Sequence, residues 1–470
     1  MPQLLLINPS NKHKGIGDYR TTAYPLLNLP YVAALTPDHY KIEVIDENIK
    51  PFEFQKADIV GITAFTSLVN RGYEIAQIYR EHGIPTVMGG IHVSMMPQEA
   101  SNYCDAVVIG EAEGAWPQVL EDFEAGKLQK QYRGSWIDLE NLPTPRRDIL
   151  KNEYYGWGGI QTSRGCPMNC SFCSVTAFNG RRFRRRPHAA VIAELEQIPQ
   201  KNVMIADDNI IGFNQEDRDW ASVFFERIIE KGIRKNFFVQ ASIQFGEDRE
   251  LIRMAARGGV KILFIGLESV KPETLRLYQK GVNLKRLQQN QYYTLISRIR
   301  KAGIALIGAF VVGGDDEDIS IFDTTLEFIK TSGIDILQIT KPTPLPGTQL
   351  WHKLLNEGRI ITQDFPRDWE EFRFTKMVYK PTNMSIEDVY EGFTYLREIY
   401  YGFWQTLKRT INTLFTTKNL VTTIMAYKFN ASFRKGFINS EHRKIYNRPG
   451  LKRKFKIDRP TGQPSVTPRK

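Results

Sequence analysis

The segment GIQTSRGCPMNCSFCS, residues 159–174, decides the architecture: a short strand runs directly into a loop whose cysteines are spaced C-x3-C-x2-C. Iron–sulfur cubanes ordinarily take four cysteines, so a loop with three leaves one iron open to another ligand. Zinc would need a fourth protein ligand, and the next histidine is His188, fifteen residues beyond Cys173, outside the usual spacing of structural zinc knots. The fourth cysteine, Cys104, stands apart at a helix end and reads as an inert core residue. Four cysteines so distributed make a poor disulfide framework, which points to a reducing, cytoplasmic compartment.

Downstream of this strand, five more apolar runs alternate with helical segments, at 202–208, 236–242, 261–269, 304–314 and 335–342. Six repeats of strand and helix predict a partial (β/α)6 barrel or a large open parallel sheet, with ligands at the C-terminal ends of the strands. Upstream, runs at 4–8, 41–46, 59–63, 86–90 and 106–110 predict a separate doubly wound, Rossmann-like α/β domain over residues 1–131. Residues 132–150, with Pro143 and Pro145 and no sustained period, read as a linker. The barrel then spans 151–350. A helical, aromatic region follows at 351–440, and residues 441–470 have too few apolar side chains for a core and read as a disordered tail.

The net charge of +11 belongs to the C-terminus, where residues 401–470 carry 16 Lys and Arg against only Glu441 and Asp458. No apolar run approaches the length of a bilayer span, and the opening MPQLLLINPS has neither a basic n-region nor a cleavage site. The basic segment at 406–436 interleaves aromatic, aliphatic and cationic residues. It suits either a helix lying on an anionic membrane or one covering the barrel with its charges solvated. A role in binding nucleic acid ranks behind both, since no RNA-binding module is recognisable.

With Phe172 before the third cysteine, the loop bearing Cys166, Cys170 and Cys173 resembles the signature of radical S-adenosylmethionine (SAM) enzymes. The resemblance implies a [4Fe-4S] cluster whose open iron chelates SAM and cleaves it reductively to a 5′-deoxyadenosyl radical. It implies SAM contacts from Asp207, Asp208 and Asn209 after the second strand, from Gln240 and Ser242 after the third, and from Gly266 and Glu268 in the fourth. Arg184 and Arg186 resemble an R-x-R that follows the loop in relatives, where an arginine fork suits the SAM carboxylate.

Residues 59–114 resemble the cobalamin-binding domain that precedes the barrel in a large subfamily, and residues 365–404 its post-barrel segment. That likeness places Thr63, Thr66, Ser67, Gly89, Gly90 and His92 around the corrinoid. The D-x-H-x-x-G of some cobalamin proteins is broken around His13, where Asn11 and the surrounding residues supply neither its aspartate nor its glycine, which implies histidine-free binding. The expected activity is cobalamin-dependent methylation of an unactivated carbon in a small molecule or lipid, with electrons from a flavodoxin or ferredoxin. The competing readings are a radical cyclase or rearrangement enzyme of the same architecture, and a non-catalytic iron–sulfur, corrinoid or nucleic-acid-binding protein.

Overall fold

The computed structural model describes residues 1–11, 24 and 26–438. His13 and the tail at 441–470 lie outside the described residues.

Two parallel six-stranded sheets organise the chain. The first contains β1 (Gln3–Asn8), β2 (Lys41–Asp46), β3 (Ile59–Thr63), β4 (Thr86–Gly89), β5 (Ala106–Gly110) and β6 (Gln131–Gly134), in the order β2-β1-β3-β4-β5-β6. Alternation along the strands divides their apolar side chains between two layers. Leu4, Leu6, Val87 and Val108 pack under α1 (Asn28–Ala34) and α3 (Trp116–Glu124), while Leu5, Ile7, Val60 and Ile62 pack under α2 (Val69–Glu81). The sixth strand carries the sheet past the domain end expected at residue 131 and into the segment expected to be linker. Its sequence QYRG buries only Tyr132, as befits an edge strand with one covered face.

The second sheet starts with β7 (Gly158–Ile160). A two-residue ribbon, β8 (Ser163–Arg164) with β9 (Arg184–Arg185), brackets the cysteine loop. The sheet continues through β10 (Asn202–Ile205), β11 (Asn236–Ala241), β12 (Val260–Glu268), β13 (Ala305–Val311) and β14 (Ile336–Thr340), in the order β14-β13-β12-β11-β10-β7. This is the partial barrel. Its outer face, with Val203, Val239, Leu263, Leu306 and Leu337, lies under α4 (His188–Gln197), α5 (Gln215–Glu230), α6 (Arg249–Arg257), α7 (Tyr292–Lys301) and α8 (Ser320–Ser332).

After a short helix at Gln349–Asn356 come three longer ones: α9 (Ile386–Tyr401), α10 (Phe403–Thr417) and α11 (Leu420–Ile438). The last crosses the inner face of the barrel sheet, where Met425 and Ala426 meet Phe238, Ile262, Ala305, Ile307 and Ile336, and Phe429 stacks on Phe238 with ring centroids 5.8 Å apart. The C-terminal region therefore covers the barrel rather than standing free of it.

Asp335, at the foot of β14, ties this layer to the helices. It accepts from both Nε and Nη2 of Arg300 (3.0 and 2.9 Å), from the Leu306 amide (2.9 Å) and from Thr413 Oγ1 (2.6 Å). Both charges are buried, Asp335 at 1% exposure and Arg300 at 7%. Removing one partner of a buried pair strands the other, so Asp335→Ala is expected to cost about 3–5 kcal/mol. In differential scanning calorimetry the unfolding midpoint of the barrel should fall by roughly 10 °C.

Candidate functional site

The cysteine loop is anchored at both ends. Gly165 has φ +87°, and a Cβ there would lie 2.0 Å from the Arg182 carbonyl oxygen, so the ribbon crossing admits only glycine. Asp207 is fully buried and accepts from the Thr162 amide (2.7 Å), from Ser163 Oγ (2.7 Å) and from the Thr162 hydroxyl. Its carboxylate is thus engaged in pinning the start of the loop. The tip is stapled to residues 277–279 and to Leu350. The Ser171 amide donates to the Tyr278 carbonyl (3.2 Å), Leu350 donates to the Ser171 carbonyl (2.9 Å), and the Phe172 ring meets Tyr278 edge-on at 5.0 Å.

Cys166, Cys170 and Cys173 are free thiols crowded on this loop. Burial pushes Cys166 up to about 11 and raises the other two, while the charge of Lys280 opposes the shift in all three. Among the described residues, no three His, Cys, Asp or Glu side chains converge on a single ion position. A zinc site requires such convergence, whereas each thiolate of a cubane binds a different iron. Three sulfurs on one loop, with no fourth donor beside them among the described residues, fit a cluster with one iron left open.

Around the loop, the strand ends take unequal parts. Asp208 has an exposed side, yet crowding by protein, with the neighbouring Asp207 charge, pushes its carboxyl up to about 6. Asn209 stitches two strand ends, donating to the Gly212 carbonyl (2.8 Å) and accepting from the Ser242 amide (3.2 Å). Gln240 donates to the Asp207 carbonyl (3.2 Å), and the Ser242 hydroxyl is buried without a hydrogen-bond partner among the described residues. Glu268 has φ +65°, a backbone conformation that costs a non-glycine residue energy and is concentrated at functional sites. Its Oε1 accepts from Lys280 Nζ at 2.7 Å, and a Cβ on Gly266 would lie 2.2 Å from that oxygen. Gly266 therefore makes room for the pair.

Lys280 was not legible in the sequence, being one lysine in a helical connection twelve residues past Glu268. Burial alone would lower its pKa, but Glu268 and the thiols beside it raise it above the ordinary lysine range. Glu317 was missed too. It is fully buried and accepts from the Gly313 (2.7 Å) and Gly314 (3.1 Å) amides and from Ser269 Oγ (2.9 Å), tying β12 to β13. The Gly-Gly before three acidic residues at 313–317 was its signal.

The paired arginines have protein partners. Arg184 grips Glu111 of the first domain through two nitrogens (2.9 and 2.5 Å) and donates to the Ile137 carbonyl (2.6 Å). Arg186, 1% exposed, pairs with Glu194 (2.6 Å) and donates to the Gln161 carbonyl (2.8 Å). Their forks hold the two domains and the loop together, and Glu111 stays ionised below the ordinary carboxylate range despite its burial because Arg184 and Arg164 flank it.

At the C-terminal edge of the first sheet lies a cavity of about 290 Å³. Thr63, Gly89 and Gly90 line it, over an apolar floor that includes Leu6, Val87, Val108 and Trp116. Gly90, with φ +103°, packs so closely that a Cβ would lie 2.9 Å from the Ala64 carbonyl oxygen. Thr66, Ser67 and His92 do not line it. Thr66 is buried in a short 3-10 turn, and the Ser67 carbonyl accepts from Asn11 (2.8 Å). His92 is fully buried, 3.4 Å from Glu99 and edge-on to Trp369, within the contact between the first domain and the post-barrel segment. On the opposite wall of the cavity stand Gln161, Arg164, Phe178 and Asn179, which bracket the cysteine loop. A mostly apolar cavity with Gly89 and Gly90 in its lining suits the nucleotide tail of a corrinoid, and residues that flank the cysteine loop complete its wall.

Residues 160–329 match the Radical SAM superfamily and residues 15–120 match the B12 binding domain family. The chain is 30% identical to bacteriochlorophyllide d C-8(2)-methyltransferase of Chlorobaculum tepidum, over 87% of this chain and 92% of the relative. It is 29% identical to bacteriochlorophyllide d C-12(1)-methyltransferase of the same organism, over 85% and 87%. Among solved structures, the cobalamin-dependent SAM radical enzyme OxsB with aqua-cobalamin and SAM bound superposes with a TM-score of 0.69 at 16% identity, over 95% of this chain and 74% of that one. That last likeness is one of fold.

Proposed function

Because this chain belongs to the radical SAM superfamily, in the branch with an N-terminal B12-binding domain, we propose a specific division of labour among its residues. The protein is a cobalamin-dependent radical SAM methyltransferase whose cofactors are a [4Fe-4S] cluster, SAM and cobalamin. In our reading, residues 1–131 with β6 hold the corrinoid, residues 151–350 hold the cluster and SAM, and residues 351–440 cover the barrel.

Cys166, Cys170 and Cys173 ligate the cluster, with Phe172 packing the loop. Asp208 holds the SAM ammonium, and Gln240 and the unpartnered Ser242 hydroxyl offer polar contacts along the same edge. Gly266 and Glu268 position Lys280 beside the thiols, while Asp207, Asn209, Arg184 and Arg186 keep the loop and strand ends in place. Thr63, Gly89 and Gly90 line the corrinoid tail cavity, and Thr66, Ser67 and His92 lie outside it. When bound, the cofactors supply a 5′-deoxyadenosyl radical and a transferable methyl group. The protein's work is to align them and exclude water.

The observation that carries this reading is the shared wall: Gln161 and Arg164, just before Cys166, line the cavity whose other side is Gly89 and Gly90. One edge of each sheet thus faces the same space. The substrate proposed is an apolar small molecule or lipid methylated at an unactivated carbon, by analogy with the two pigment methyltransferases. The reducing electron comes from a flavodoxin or ferredoxin, and the enzyme works in the cytoplasm at a membrane surface. Among the described residues no helix is long and apolar enough to cross a membrane.

The test is anaerobic reconstitution with iron, sulfide and cobalamin, followed by turnover with methyl-deuterated SAM, strong reductant and extracts of candidate lipids and pigments. Formation of 5′-deoxyadenosine, S-adenosylhomocysteine and a deuterated product supports the reading. Radical cleavage of SAM without any methyl transfer overturns the methylation assignment. For Asp208, a carboxylate charged above about 6 should bind SAM well at pH 7.5 and progressively worse as pH falls through 6. Asp208→Asn should weaken binding roughly 10- to 100-fold, the range of a charge-assisted hydrogen bond. Isothermal titration of the reconstituted protein checks both, and the variant should show the flatter pH profile.

A further inference from the structure

We propose that the helical hairpin α10–α11 docks the enzyme on an anionic lipid bilayer, lying in the plane of the interface. This deepens the membrane contact proposed above and rests on that reading. Along α10, Phe403, Trp404, Leu407, Ile411, Leu414 and Phe415 recur at helical spacing and all face solvent, Trp404 at 76% and Phe415 at 74% exposure. Leu420, Val421, Ile424 and Tyr427 continue the exposed apolar surface on α11. Isolated apolar side chains on a surface need no explanation, but a contiguous set this size marks an interaction site.

The opposite face of the hairpin is bonded to the barrel and to α9, so the apolar stripe is held in place by the fold. Thr413 donates to Asp335 (2.6 Å), Arg409 Nη1 donates to the Tyr400 carbonyl (2.6 Å), and Asn430 Nδ2 donates to the Asp335 carbonyl (3.0 Å). Rotating either helix to bury the stripe would break these bonds and lift Met425 and Ala426 from the barrel sheet.

Charge selects the occupant. From residue 399 to residue 440 the chain contains no Asp or Glu, while Lys408, Lys418, Lys428 and Arg434 stand exposed on the hairpin. In a symmetric contact between two copies this face would meet itself, lysine near lysine with no carboxylate between them. An anionic bilayer answers both components, accepting the aromatic and aliphatic side chains below its headgroups and the cations among them. The helices have 15 and 19 residues, and neither is apolar enough to span. Because the inner side of α11 lies against the barrel sheet, docking would bring the barrel close to where apolar substrates dissolve.

The experiment is flotation of the full-length, cofactor-loaded protein with phosphatidylcholine vesicles, with and without 30% phosphatidylglycerol as the probe. The wild type should float with the anionic vesicles and much less with the neutral ones. A Phe403→Ser, Trp404→Ser, Phe415→Ser triple variant should lose about tenfold or more in binding at an unchanged unfolding midpoint, since these side chains contact no core. A Lys408→Glu, Lys418→Glu, Lys428→Glu variant should lose the preference for anionic lipid. Wild-type protein that stays in the soluble fraction overturns the proposal. So does a dimer in analytical ultracentrifugation that the serine triple variant converts to monomer, with no vesicle binding by either. SAM cleavage to 5′-deoxyadenosine is followed in parallel. An active enzyme that does not float loses only the docking, whereas an inactive one that floats loses the catalytic assignment alone.

Discussion

Cys170→Ala is expected to remove the iron–sulfur chromophore and to cut 5′-deoxyadenosine formation roughly 1,000-fold or more, equivalent to about 4 kcal/mol of barrier. Cys170 is the most deeply buried of the three loop thiols, at 7% exposure. Its loss leaves two sulfur donors for a cluster that needs three. The loop should keep its fold, because the bonds that shape it run through the Ser171, Tyr278 and Leu350 backbones and through Asp207. The variant should therefore show a near-wild-type unfolding midpoint for the apoprotein together with iron content near zero after reconstitution. Cys104→Ala is the control. That thiol, raised to about 12 by burial, contacts the Ala100 and Ala106 carbonyls in the first domain, so iron loading should be unchanged. A Cys170 variant that retains a four-iron signal in electron paramagnetic resonance would remove this cysteine from the ligand set.

Gly89→Phe should have the second largest effect, and a different signature. Gly89 ends β4 and lines the cavity, and a Cβ there meets Val108 only at ordinary contact distance, 3.7 Å. The backbone tolerates a side chain, but a phenyl ring then competes with any ligand for a space of about 290 Å³. Overfilling a packed site by less than this costs 1–3 kcal/mol, so corrinoid affinity should fall about 100-fold. Methyl transfer should fall with it, while reductive cleavage of SAM continues on the untouched cysteine loop. Cobalamin uptake, read from visible absorption, and the ratio of methylated product to 5′-deoxyadenosine measure the two halves separately. Normal cobalamin uptake by the variant would place the corrinoid elsewhere.

Both sheets were legible in the sequence because their strands are apolar runs bounded by turns, a pattern set by burial on both faces. The edge strand Gln131–Gly134 was not, since only Tyr132 is covered and the rest reads as loop. Within the site, residue type was legible and orientation was not. Asp207 and Asp208 are adjacent and identical, yet one is sealed under the loop and the other is exposed. Which is which depends on the strand's register against β7. The R-x-R of Arg184 and Arg186 was visible, but Glu111, which occupies the first fork, lies 73 residues away. His92 likewise sat in a glycine-rich strand end, and its neighbour Trp369 is far downstream in the chain. Long-range pairing decided each case.

The position of α11 on the inner face of the barrel sheet also sets an order of manufacture. All six strands leave the ribosome before Leu420–Ile438 does, so Phe238, Ile262 and Ile307 are synthesised long before Met425 and Ala426 arrive to cover them. The nascent barrel thus carries an uncovered apolar layer that only a late segment can close, the kind of surface that recruits chaperones. Packing of the barrel's inner face is therefore a late step of folding that no strand-by-strand assembly can complete.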